Sequence, residues 1–196
     1  MDSIDTQTLI IVAIIAVILI AAGAYVLYQK RQSERLKHRF GPEYGTMVEQ
    51  LGSAAKAEAE LKKREKRVER LDIVPLAPAE ATRFTQAWTR LQGAFIDDPK
   101  GALIKADQLV RELLLKRGYP MADFERRAAD ISVDHPAVVS NYRAAQLIVA
   151  RNQRGEADTE ELRKAVVHFR ALFDELLGLT TATDQVTPAT KMVAQT

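Results

Sequence analysis

Residues Leu9 to Tyr28 read LIIVAIIAVILIAAGAYVLY, without a single charge, inside an uncharged window from Thr6 to Gln29. At 1.5 Å rise per residue, about 20 apolar residues span roughly 30 Å, the thickness of a bilayer core. Ile, Val, Leu and Ala occupy every face of this helix. A helix apolar all round belongs in lipid or in a large interior, and the rest of this 196-residue chain is too small to wrap it. The segment therefore reads as a transmembrane helix over residues 9–28, and it sets the organisation of everything after it.

The flanks decide orientation. Before the run lie Asp2 and Asp5; after it come Lys30, Arg31, Arg35, Lys37 and Arg39 against one acid, Glu34. Basic flanks stay on the cytoplasmic side. This predicts residues 1–8 outside and the remainder of the chain in the cytoplasm, with the anchor in a bacterial inner membrane. The five bases are candidates for contact with anionic headgroups of the bilayer, each worth about 1 kcal/mol near such a surface. A cleaved signal peptide would need a basic n-region and an apolar run of about 7–15 residues. Ala22-Gly23-Ala24 imitates a cleavage site, but the n-region is acidic and the run is too long.

Charge falls unevenly along the chain. Residues 30–71 hold 12 Lys and Arg against 7 acids, whereas residues 72–178 hold 15 against 16. The basic excess is thus confined to the membrane-proximal part, and the near-neutral distal part argues against a nucleic-acid partner. The chain has no cysteine, which removes disulfides, thiolate metal sites and thiol chemistry.

Periodicity assigns the rest to helices. Gly41-Pro42 breaks the membrane helix, since Pro removes a donor and restricts its predecessor. Residues 43–71 are rich in helix formers, with a stripe of Tyr44, Val48, Leu51 and Ala55 that thins to Val68 and Leu71. This predicts an exposed charged stalk over residues 29–71, supported by pairs such as Glu60–Arg64 and able to self-associate as a short coiled coil. Two prolines in Asp72 to Pro78 mark a domain boundary. Four stripes follow: Ala81, Phe84, Trp88, Leu91, Phe95; Leu103, Ala106, Leu109-Val110, Leu113-Leu114; Val138-Val139, Tyr142, Ala145, Ile148-Val149; and Leu162, Ala165-Val166, Phe169, Leu172-Phe173, Leu176-Leu177. Asp97-Asp98-Pro99, Asp134-His135-Pro136 and Asp158-Thr159-Glu160-Glu161 read as N-terminal caps, and Gly118, Gly155 and Gly178 as stops. A short helix is expected from about Asp123 to Asp130. The fold class is all-α: membrane helix, charged stalk helix, then a four-to-five-helix bundle over 72–178, with a disordered tail at 179–196.

No catalytic constellation emerges. The three histidines, His38, His135 and His168, have neither HExxH nor other metal-ligand spacing, so no metal or cofactor is expected. Ser132 and Ser140 lie outside any Gly-x-Ser-x-Gly turn. The acidic pairs read as caps, and His135 as an exposed residue of a first turn. The most function-like stretch is RGYPMADFERRAADISVDHP, residues 117–136. Its Tyr119, Asp123, Arg126, Arg127, Asp134 and His135 form either a salt-bridged elbow or a surface for a protein partner. The basic run KKREKRVER, residues 62–70, is either a solvated face or a contact for an anionic partner.

The chain resembles a family of small bacterial single-pass membrane proteins, described only as membrane or secreted proteins of unknown function. The resemblance rests on Arg39-Phe40-Gly41-Pro42-Glu43-Tyr44, the Arg/Glu-rich stalk, Pro75-Leu76, Asp97-Asp98-Pro99 and Arg117-Gly118-Tyr119-Pro120. It extends over Asp123 to Asp130, Asp134-His135-Pro136 and Gly155 to Leu162. It implies a bacterial source and supplies no activity, cofactor or catalytic residue. A membrane-anchored interaction or scaffolding module is the expected function. The alternatives are an enzyme or ligand binder with a polar pocket between Tyr119 and His135, and a membrane-surface regulator acting through the basic stalk.

Overall fold

Gly41 and Gly52 divide the N-terminal third of the chain into three helices. In the computed structural model, which describes residues 6–179, α1 runs Thr6–Phe40, α2 Pro42–Leu51 and α3 Ala54–Val68. Gly41 (φ 46°) and Gly52 (φ 66°) both take the left-handed region that side-chain-bearing residues avoid. The chain then forms α4 (Pro78–Ala94), α5 (Pro99–Lys116), α6 (Phe124–Asp134), α7 (Val139–Gln153) and α8 (Thr159–Leu176). No strand occurs among the described residues. The expected tail, apart from Leu179, and residues 1–5 of the expected external segment lie outside the described residues.

The helix α1 is continuous through the apolar run and the basic flank. Over the span from Ile10 it is long and apolar enough to cross a membrane, and its apolar window is wholly unburied by the rest of the chain. Ile18, Leu19 and Ile20 are at least 60% exposed. An apolar surface of this extent calls for cover from outside the described residues, of the kind a bilayer core provides.

The bundle core follows the four stripes. Phe84, Trp88, Leu91, Leu103, Val110, Leu113, Tyr142, Leu162, Phe169 and Phe173 are all buried together. Trp88 stacks on Phe173 with ring centroids 4.6 Å apart. The start signals also act locally: Asp98 accepts from the Gly101 N–H at 2.9 Å. Asp158 and Glu161 complete a reciprocal capping box. Gly118 (φ 95°) brings the chain against the connector, so close that a Cβ there would meet the Asp72 carbonyl at 2.1 Å.

The basic segment is not a free stalk. A second core buries Leu36 and Phe40 of α1, Met47 of α2, Ala57, Leu61 and Val68 of α3, and Val133 of α6. The break at Gly52 resets the helical face. Leu51 and Ala55 of the expected stripe are exposed, and Glu43, Met47, Ala57, Leu61, Arg64, Glu65 and Val68 point inward instead. The connector is docked too, since Val74 N–H donates to the Arg117 carbonyl at 3.0 Å and Ile73 packs against both cores.

Candidate functional site

Folding α3 back against α6 brings together two stretches that lie far apart in the sequence. The basic run and the 117–136 segment share one groove of about 510 Å³, lined by Ala59, Lys62, Lys63, Lys66, Arg67, Arg70 and Arg126. No acid lines it. Lys62 and Lys66 share an α3 face because they are four residues apart, and Arg126 arrives from the first turn of α6. Arg67 is neutralised by buried Asp130, its Nε donating at 2.6 Å. Lys63, Lys66, Arg70 and Arg126 are exposed and Lys62 is half-buried. Five cations therefore share a concave surface, with their stems on α3, the turn that follows it and α6.

Three buried carboxylates hold that surface in place. Glu43 on α2 receives Arg64 Nη1 at 3.0 Å and both Nη atoms of Arg143 on α7, at 2.6 and 2.8 Å. Hydrogen bonding to Glu43 raises the Arg143 pKa further above its ordinary value. Arg64 also reaches the Ser132 hydroxyl of α6 at 3.3 Å. Glu65 on α3 receives Arg35 of α1 at 2.7 Å. Arg39 stands 3.2 Å from the other Glu65 oxygen, off the hydrogen-bonding direction. Asp130 receives Arg67. Buried charges persist only when paired like this, so α1, α2, α3, α6 and α7 are mutually registered by charge as well as by apolar packing.

Other candidates of the 117–136 segment separate. Asp123 is an N-cap, accepting from the Arg126 N–H at 2.9 Å. Arg127 is buried and donates to the Tyr142 hydroxyl at 2.7 Å and the Ala122 carbonyl at 2.9 Å. The buried Tyr119 hydroxyl donates to Asp134 at 3.0 Å. Burial, then the Asp134 charge, pushes the Tyr119 pKa far up. Burial likewise raises that of Tyr142 against the opposing effect of Arg127. Asp134 does not cap the next helix: α6 continues through it, and α7 starts at Val139 with no side-chain cap. Nor is His135 an exposed first-turn residue. It ends α6, its side chain is 11% exposed, and Nδ1 lies 3.1 Å from Glu175. Arg126, Arg127, Asp134 and His135 thus face four different partners or surfaces, and the depression of about 430 Å³ in this segment is lined instead by Pro120, Met121, Ala122, Asp123, Arg126 and Asp130, with Arg67 and Leu71. Among the described residues no three His, Asp or Glu side chains converge as a metal site requires.

The headgroup candidates divide as well. Lys30 and Arg31 are exposed. Lys37 pairs with Glu34 at 3.0 Å, while Arg35 and Arg39 turn onto Glu65. Leu61 and Val68, the apolar residues through which two stalks would pair, are buried within the chain itself. The groove was missed because only Arg126, a lone exposed base in a mixed-charge helix, signals it from the α6 side. No protein-family model, curated protein or solved structure matches this chain, so the cationic groove and its Arg–carboxylate frame are what its function is read from.

Proposed function

We propose that the chain is a membrane-anchored helical interaction module, oriented N-out with its folded part in the cytoplasm, that presents the α3–α6 groove to an anionic partner. One observation carries the reading: Leu36 and Phe40, at the far end of the apolar helix, are fully buried in the second core. The anchor is a structural member of the folded part, so the groove has a fixed relation to the bilayer. A bacterial inner membrane suits the basic flank of α1. The groove supplies recognition through charge, and the partner through complementary charge.

The chain has no cysteine, so single introduced cysteines report topology directly. In sealed spheroplasts, a membrane-impermeant maleimide labels Asp5→Cys, and labels Ile96→Cys only after permeabilisation. The opposite pattern overturns the orientation. Release of the protein by alkaline carbonate overturns the anchor. For the groove, the full chain in nanodiscs binds polyglutamate in a salt-sensitive way. Equal binding by Lys62→Gln/Lys66→Gln/Arg126→Gln overturns the assignment.

A further inference from the structure

Resting on that reading, we infer that the anionic partner is a phospholipid headgroup of the leaflet into which α1 emerges, its phosphate held among Lys62, Lys66 and Arg126. Depth carries the argument. If the apolar core ends near Tyr28, Gln32 stands about 6 Å further along the helix axis. The headgroup layer is roughly 5–8 Å thick on each side of the core. A second depression of about 320 Å³ is lined by Tyr28, Gln32, Arg35, Lys62, Glu65, Lys66 and Glu69. Lys62 and Lys66 are common to this depression and to the cationic groove. The groove therefore opens beside the stretch of α1 that lies in the headgroup layer.

The neighbouring groups suit that depth. Gln32 Nε2 donates to the Tyr28 hydroxyl at 3.0 Å, which fixes a polar aromatic end where such residues settle at a membrane interface. The acids on this side are Glu65 and Glu69. Glu65 is held by Arg35 and Arg39, while exposed Glu69 sits at the rim. Beyond Lys62 and Lys66 the groove is lined by Lys63, Arg70 and Arg126, with Asp130-paired Arg67 and Ala59, and by no acid. A phosphate entering from the leaflet meets cations ahead of it, and its acyl chains remain along the apolar surface of α1 below Tyr28. A soluble anion has the same charge but no such continuity with the apolar run.

The test places a fluorophore on Ala59→Cys, which lines the groove, in the full chain in nanodiscs. Nitroxide is carried on the headgroup of either phosphatidylglycerol or phosphatidylcholine. Quenching by the phosphatidylglycerol probe is expected to be several-fold greater, and to fall to the phosphatidylcholine level as NaCl rises from about 0.05 to about 0.5 M, where the Debye length shrinks to a few ångströms. Lys62→Gln/Lys66→Gln/Arg126→Gln is expected to bring the preference down to near the phosphatidylcholine level, whereas Lys100→Gln/Lys164→Gln, at exposed bases of the distal bundle, leaves it in place. Equal quenching by the two lipids, or a preference indifferent to salt in the otherwise unaltered chain, overturns the proposal without reference to any groove variant. Polyglutamate separates the two levels. If it binds the groove while no lipid preference appears, the anionic-partner reading stands and the lipid assignment falls. If neither binds, both fall.

Discussion

The Arg143 guanidinium grips both carboxylate oxygens of Glu43, a residue 100 positions earlier in the chain, at 2.6 and 2.8 Å. Arg64 shares the same carboxylate at 3.0 Å. Glu43 is thus a buried anion between two cations, and it joins α2 and α3 to the bundle. Replacing it by Gln leaves Arg64 in the interior with only the longer contact to Glu60 at 3.5 Å, which costs up to about 3–5 kcal/mol. Hydrogen exchange should show α2 and α3 opening while the α5–α8 core keeps its protection. Joint replacement of Glu43, Arg64 and Arg143 by Leu, Leu and Met is expected to recover most of the loss, because no charge is then stranded. If Glu43→Gln left exchange unchanged, the triad would not be the joint.

Phe40→Ala tests the anchor's part in the fold. The ring is fully buried with Leu36, Met47 and Leu61. Truncating a buried Phe costs about 3–5 kcal/mol through lost transfer energy and the cavity left behind. Faster exchange is expected in α3 and at the C-terminal end of α1, together with easier proteolysis near Gly41. Membrane integration should be unaffected, because the apolar run is intact.

Alkaline pH should loosen the junction of α5 with α6. Tyr119 and Tyr142 have folded-state pKa values raised above the ordinary value of 10.0 by burial. The neutral phenols are favoured in the folded chain, so their contribution is fully present below pH 10. Above it the unfolded chain loses protons that the folded chain retains. Each tyrosine then costs about 1.4 kcal/mol per pH unit until its folded pKa is reached. Thermal unfolding between pH 9 and 11 should show this decline, and Tyr119→Phe should flatten it. A decline of equal slope in that variant would exclude Tyr119 as its source.

Gly118→Ala tests the contact between connector and bundle. The positive φ and the Asp72 carbonyl both oppose a Cβ, and strain of this kind costs about 1–3 kcal/mol. Loss of protection at Val74 N–H, which donates to Arg117, is the expected local readout. Gly45→Ala, where a Cβ meets open space, should be neutral or slightly stabilising in its helix. Similar effects at both positions would count against the close approach.

The bundle was legible because its stripes are made of large apolar residues at three- and four-residue spacing, with Asp caps and Gly stops around them. The second core was not, because charge disguised it. Glu43, Arg64 and Glu65 look like surface residues until partners 21 to 100 positions away are known. Asp134-His135-Pro136 misled for a similar reason. It has the composition of a helix start, yet Asp134 is engaged by Tyr119 and His135 by Glu175, so tertiary partners outweighed the local signal. The groove depends on the second core: only with one face of α3 turned inward do its outer lysines lie beside Arg126.

The burial of Leu36 and Phe40 makes α1 an axle rather than a leash. A transmembrane helix answers a thinner or thicker bilayer by changing its tilt. On a flexible tether that motion would die within a few residues. Under the proposed anchoring it is carried into the folded part, so a change in tilt swings Lys62, Lys66 and Arg126 toward or away from the membrane plane. On that proposal the thickness of the surrounding lipid, and not its charge alone, governs how the basic face meets its surroundings.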